Sequence, residues 1–198
     1  RCLYPSIAAR CGETAQKLAA PFLHSPALPD QGLVGDYYGN DQFMPPVVAA
    51  HRDPIIGLDP GLPLPYSVIW QGLIAAPRAG EYLIAVDALG AARVAVNGNI
   101  LADNRVFSAP VADAETGELP RYSEGLVYLP IGWHRIEVRY AVEEQADALD
   151  RIRLLWQPPG SDPRELAGQY LLPAYGLVST VDAPLPPAPP LMDARLGD

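Results

Sequence analysis

Lysine is almost missing from this sequence: Lys17 stands alone beside thirteen arginines, and 14 basic residues face 23 acidic ones, for a formal net charge of −9. Nucleic-acid binders draw most of their affinity from neutralising phosphates, and membrane-surface proteins use basic clusters, so this balance argues against both classes. Cysteine is scarce as well, with only Cys2 and Cys11. Two thiols cannot build a structural zinc site alone, and their spacing is not Cys-x-x-Cys. A local disulfide or two free thiols remain; the disulfide is expected, and it would place the chain in an oxidising compartment. There is no signal peptide and no run of 18 apolar residues that could span a membrane. A chain that opens on Arg1 is expected to be processed or part of a larger protein.

Catalytic patterns are missing too. Histidine is limited to His24, His51 and His134, with no His-Glu-x-x-His and no pair at metal-ligand spacing. Gly-x-Ser-x-Gly elbows, phosphate-cradling glycine loops and EF-hand runs are all absent. The 23 acids offer many carboxylate pairs for glycoside hydrolysis, but nothing singles one out. Asp113, Glu115 and Glu118 read as a solvated loop rather than a cation site. The chain is expected not to be an enzyme.

What is present is material for an acidic, loop-rich β domain: 49% hydrophobic residues, 23 Pro and 17 Gly in 198 residues. Three zones differ in texture. Residues 1–31 form an amino-terminal extension with one short helix expected over Glu13–Ala20, ended by Pro21. Residues 32–177 are the body, and residues 178–198 are a proline-rich tail of polyproline type. In the body the hydrophobic period is two. His134, Ile136, Val138, Tyr140 and Val142 alternate with Arg135, Glu137 and Arg139; Ile152, Leu154 and Trp156 alternate with Arg151, Arg153 and Gln157. Val68–Gly72, Tyr82–Val86 and Val94–Val96 repeat the pattern, and Asn97-Gly98 is a two-residue hairpin turn. Short strands joined by Gly/Pro turns predict an all-β fold, an antiparallel β-sandwich or barrel.

Seven segments of the body, in order, resemble one family. They are Gly32-Leu33-Val34-Gly35-Asp36-Tyr37-Tyr38, Arg52-Asp53-Pro54, Tyr66-Ser67-Val68-Ile69-Trp70-Gln71-Gly72, Pro77–Ile84, Arg93–Gly98, Gly132–Ile136 and Arg153–Trp156. Together they are similar to the lectin-like β-sandwich module named after the anthrax toxin protective antigen, also found in yeast flocculin adhesins and bacterial β-glucosidases. In that family's sugar-binding adhesins, two adjacent aspartates just before the Arg-hydrophobic strand hold a calcium ion that coordinates the sugar hydroxyls. Those positions here fall on Leu89 and Gly90, neither of which offers a side-chain oxygen. Asp87 and Asp103 remain as weak metal candidates, with Asn104 beside them, so no cofactor is expected, calcium included.

The resemblance implies a non-catalytic, extracytoplasmic module, at the cell surface, secreted or periplasmic, that contacts glycans or serves assembly. The expected ligand edge comprises Asp87, Leu89, Gly90, Asn97, Asn99, Asp103 and Asn104, with the long connection Asn104–Gly125. In the assembly alternative the amino-terminal segment and the proline tail hold a surface structure together. In another, the module accompanies a membrane glycosyltransferase or other carbohydrate-active enzyme. A glycan and a protein partner or parent polypeptide are the expected partners.

Overall fold

A computed structural model describes residues 31–57, 60–104, 122–142, 152–173 and 187–191. Cys2, Cys11, the helix expected over Glu13–Ala20, and Asp113, Glu115 and Glu118 lie outside the described residues. Among the described residues eleven strands follow one another: β1 (Leu33–Tyr38), β2 (Val47–Asp53), β3 (Tyr66–Ala76), β4 (Gly80–Ala88), β5 (Ala91–Val96), β6 (Asn99–Asp103), β7 (Tyr122–Leu129), β8 (Gly132–Val142), β9 (Ile152–Gln157), β10 (Arg164–Glu165) and β11 (Leu171–Pro173). A 3₁₀ turn, Gly168–Tyr170, precedes β11.

The strands form two antiparallel sheets. One runs β2-β1-β3-β8-β5-β6, with β11 extending the β1 edge along the far half of β3; the other is four-stranded, β10-β9-β4-β7. The all-β sandwich expected from the period of two is therefore the fold. The alternation sorts the faces: Ile136, Val138, Tyr140 and Val142 of β8 are buried while Arg135 is exposed, and β9 alternates buried Ile152, Leu154 and Trp156 with more open neighbours. Asn97 and Gly98 both hold positive φ, 51° and 83°, which a two-residue turn matching strand twist requires.

The inner faces meet in an aromatic core. Tyr82 stacks on Trp156 at 5.9 Å between ring centroids, and Trp156 meets Tyr170 at 4.7 Å. Trp70 stacks on Tyr140 across β3 and β8. Large rings bring more apolar area per ordered side chain than aliphatic residues, which suits a thin two-layer core. The open side of the sandwich is closed where β6 lies against β7: the Asp103 backbone N–H donates to Ser123 Oγ at 2.9 Å. Of the tail, residues 187–191 return to the same domain. Ala188 and Leu191 pack against the core, and the Tyr170 hydroxyl donates to the Pro190 carbonyl at 3.1 Å.

Candidate functional site

The seven residues expected to line one edge are divided by the fold. β5 runs from the β4–β5 turn at one end of the sandwich to the Asn97–Asn99 hairpin at the other, so the structure brings Asp87, Leu89, Gly90, Asp103 and Asn104 together and sets Asn97 and Asn99 apart. At the hairpin end, Asn97 is committed to structure. Its Oδ1 accepts from the Arg135 backbone N–H at 3.1 Å, and its backbone N–H donates to the Arg135 carbonyl at 2.9 Å. His134 completes this corner. Nε2 faces the Pro130 carbonyl at 2.8 Å and so must donate, which leaves Nδ1 to accept from the Asn97 amide at 3.2 Å. His134 is thus committed to the strand edge and the hairpin turn.

At the other end, Asn104 is buried and joins the β4–β5 turn to the end of β6. Its amide nitrogen donates to the Ala88 and Gly90 carbonyls, both at 3.0 Å, and its oxygen accepts from the Ala92 backbone N–H at 2.8 Å. Gly90 lies against β8: a Cβ there would sit 2.3 Å from the Ala141 carbonyl oxygen and 2.7 Å from the Tyr140 ring. This turn has no room for a side chain at position 90, so an aspartate could stand there only if the backbone moved.

The two remaining carboxylates are each paired with an arginine. Asp103 accepts from Arg93 across the β5–β6 ladder, at 2.9 Å from Nε and 2.8 Å from Nη2, both through Oδ2. Asp87 accepts from Arg153 across the β4–β9 ladder. That bond holds the Arg153 guanidinium above its ordinary pKa. Among the described residues no three His, Cys, Asp or Glu side chains are grouped to hold a metal ion.

A buried polar cluster that sequence reasoning missed lies elsewhere, between β1, β2 and β3. Asp53 is buried, and its Oδ2 accepts from the Tyr37 hydroxyl and from Trp70 Nε1, each at 2.6 Å. His51 Nδ1 lies 2.9 Å from Oδ1, and its ring stacks on Tyr37 at 4.7 Å. Burial first, then the hydrogen bond to Asp53 and its charge, push the Tyr37 hydroxyl far above the usual tyrosine range. Gly35 makes room for this cluster, since a Cβ there would be 2.9 Å from both Asp53 Oδ2 and the Trp70 ring. The four members come from three strands with no shared spacing. Tyr37, Asp53 and Trp70 each stand in one of the family-like segments, but nothing in those segments said that the three side chains meet.

A protective-antigen module of this architecture is matched in sequence as well: the PA14 domain model covers residues 29–167. The chain belongs to the PA14 domain family. No curated protein matches it in sequence. Among solved structures, this PA14 domain is similar to an anti-sigma factor domain-containing protein, at 22% identity and a TM-score of 0.59, over 73% of this chain and 48% of that one. The chain thus spans about half the length of that relative. The epithelial adhesin 6 A domain from Candida glabrata, solved in complex with Galβ1-3GlcNAc, is similar at 14% identity and a TM-score of 0.52, over 75% and 90% of the two chains. A PA14 sugar-binding domain from an RTX adhesin is similar at 17% identity and a TM-score of 0.50, over 73% and 99%. At these identities the likeness is one of fold.

Proposed function

We propose that this PA14 domain is a non-catalytic carbohydrate-binding module that works outside the cytoplasm and needs no calcium to hold its ligand. Family membership and the adhesin domains of the same fold, one of them holding a disaccharide, support the carbohydrate reading. The observation that carries the calcium part is the turn at Leu89-Gly90, where Gly90 is closed off by the Ala141 carbonyl and the neighbouring carboxylates of Asp87 and Asp103 are engaged by Arg153 and Arg93. Calcium takes six to eight oxygens, usually with several free carboxylates. Here the arginines supply the positive charge that a cation would bring. The residues that would meet a sugar at this end are Asp87, Leu89 and Asp103, with Asn104 and Gly90 shaping the turn.

A second reading, an assembly module, is favoured by one observation: the backbone of residues 187–191 is fixed against the domain by Tyr170. A proline-rich strand loses little conformational entropy when it docks, so this stretch, with Pro187, Pro189 and Pro190, suits holding the end of the chain in a fixed place for contact with a neighbour or a parent polypeptide. Screening the full chain on an array of immobilised glycans, in calcium and in chelator, tests the first reading. Retention of a defined glycan set in both buffers is expected; an array without any retained glycan in either buffer favours assembly instead.

A further inference from the structure

The four-stranded sheet turns its outer face to solvent, and that face is not the polar surface an antiparallel sheet normally shows to water. On β7, Tyr122, Leu126 and Tyr128 are 49%, 59% and 68% exposed. The register places Leu83 of β4 beside Leu126, whereas Ala85, between Glu124 of β7 and Leu155 of β9, is fully buried, so the exposed apolar strip runs along β7. The inner side of β7 is tight where it meets β6: a Cβ at Gly125 would be 2.1 Å from the Leu101 carbonyl oxygen, and Ser123 Oγ accepts from the Asp103 backbone N–H, while Leu129 at the strand's end is buried in the core. The outward rings have no part in the core.

Carboxylates border the strip. Glu81 stands opposite Tyr128 in the ladder, and Glu124 accepts from the Tyr122 hydroxyl. That bond first, then partial burial and the charges of Glu124 and Asp87, push Tyr122 up to about 12. The Asp87–Arg153 pair closes one end of the face and is neutral as a unit. Glu81, Glu124 and Glu165 remain, so the face is acidic, on a chain of net charge −9. Polyanions and a second copy of this chain are both repelled by it. The outward positions of the four strands number about a dozen, roughly half of the 20–30 residues a side that a standard protein interface uses.

The geometry points to this face as a binding platform for a neutral, linear oligosaccharide lying along β7. The apolar C–H faces of pyranose rings settle on the π faces of Tyr122 and Tyr128 and on Leu126, and their hydroxyls donate to Glu81 and Glu124. The tyrosines are six residues apart on one strand, about 20 Å, long enough for several sugar units. This inference rests on the carbohydrate reading above and adds a contact on the sheet to the one at the turn Leu89-Gly90; the two share only Asp87.

The test is an NMR titration of the full chain, in chelator, with cellohexaose, chitohexaose, laminarihexaose and Galβ1-3GlcNAc, repeated on Tyr128→Ala and Leu126→Ser. Both positions are exposed, so the variants are expected to keep the parent melting temperature. At least one neutral hexasaccharide should shift the amides of β7 and β4, and each variant should weaken it at least tenfold. Binding that maps to the β4–β5 turn and is unchanged in both variants overturns the platform and leaves the carbohydrate reading standing. Saturation by none of the four sugars at millimolar concentration overturns both. A concentration-dependent dimer lost in Tyr128→Ala, without sugar binding, overturns the platform in favour of a contact between copies.

Discussion

Asp53 is the residue on which three strands of the larger sheet depend. It is an acidic side chain among aromatic rings, and burying a carboxylate is tolerated only when its oxygens are hydrogen-bonded. Tyr37 and Trp70 satisfy one oxygen and His51 the other. Replacing it, Asp53→Ala, leaves two buried donors without an acceptor, each costing about 1–3 kcal/mol. The variant should therefore lose about 3 kcal/mol in urea unfolding, and Asp53→Asn, which keeps an acceptor oxygen, clearly less. Tyr37 makes the same cluster sensitive to alkali. Its pKa is raised in the folded chain by burial and by Asp53, so its contribution is complete below the unfolded value of about 10 and is lost as pH climbs above it. Urea midpoints measured from about pH 8 to about pH 11 should fall more steeply for the parent than for Tyr37→Phe. Glu137 governs the acid side. Burial works to raise it, but hydrogen bonds from Arg139 and Gln71 outweigh this and hold it below its usual value. Its share of stability is present above the unfolded pKa and disappears as pH falls through the folded one. Glu137→Gln should flatten that acid limb.

At the scale of elements, legibility followed how cleanly each strand divides apolar from polar. β8, β9, β4 and β5 each have one core face and one wetter face, and their alternation gave both strand and orientation. The first half of β7 was assigned to the long connection Asn104–Gly125, although the strand begins at Tyr122 and runs to Leu129. Its inner residues run Ser123, Gly125, Val127 and Leu129 and its outer ones include Tyr122, Leu126 and Tyr128, so its first half shows no apolar inner face where it packs against β6. β10 and β11 are too short to show a period; they exist because β9 and β3 offer free edges. The turn between β4 and β5 was legible in composition, through the missing aspartates, but not in sterics. Asn97 and Asn99 were grouped with it because they are close in sequence, whereas β5 carries them to the opposite end. The sterics lead to a direct prediction. Gly90→Asp should not create a calcium site; it should destabilise the fold by about 1–3 kcal/mol, the usual cost of an overpacked position. Thermal unfolding of that variant with and without calcium checks both halves.

For the whole molecule, the sandwich holds together through its aromatic core, the Asp53 cluster and the β6–β7 closure, and Asp87 and Asp103 are each paired with an arginine. Among the described residues no helix is long and apolar enough to cross a membrane. A chain of net charge −9 attracts any divalent cation diffusely, so a specific site must be separated from that background. Melting temperatures in calcium, in magnesium at equal ionic strength and in chelator should agree once ionic strength is matched. A calcium-specific rise that disappears in Asp87→Ala would mean that the turn rearranges around a cation. The central claim is calcium-independent glycan binding, and calorimetric titration of the best-retained array glycan into the full chain tests it most directly. The account predicts the same affinity in calcium and in chelator; binding that occurs in calcium and vanishes in chelator would contradict it.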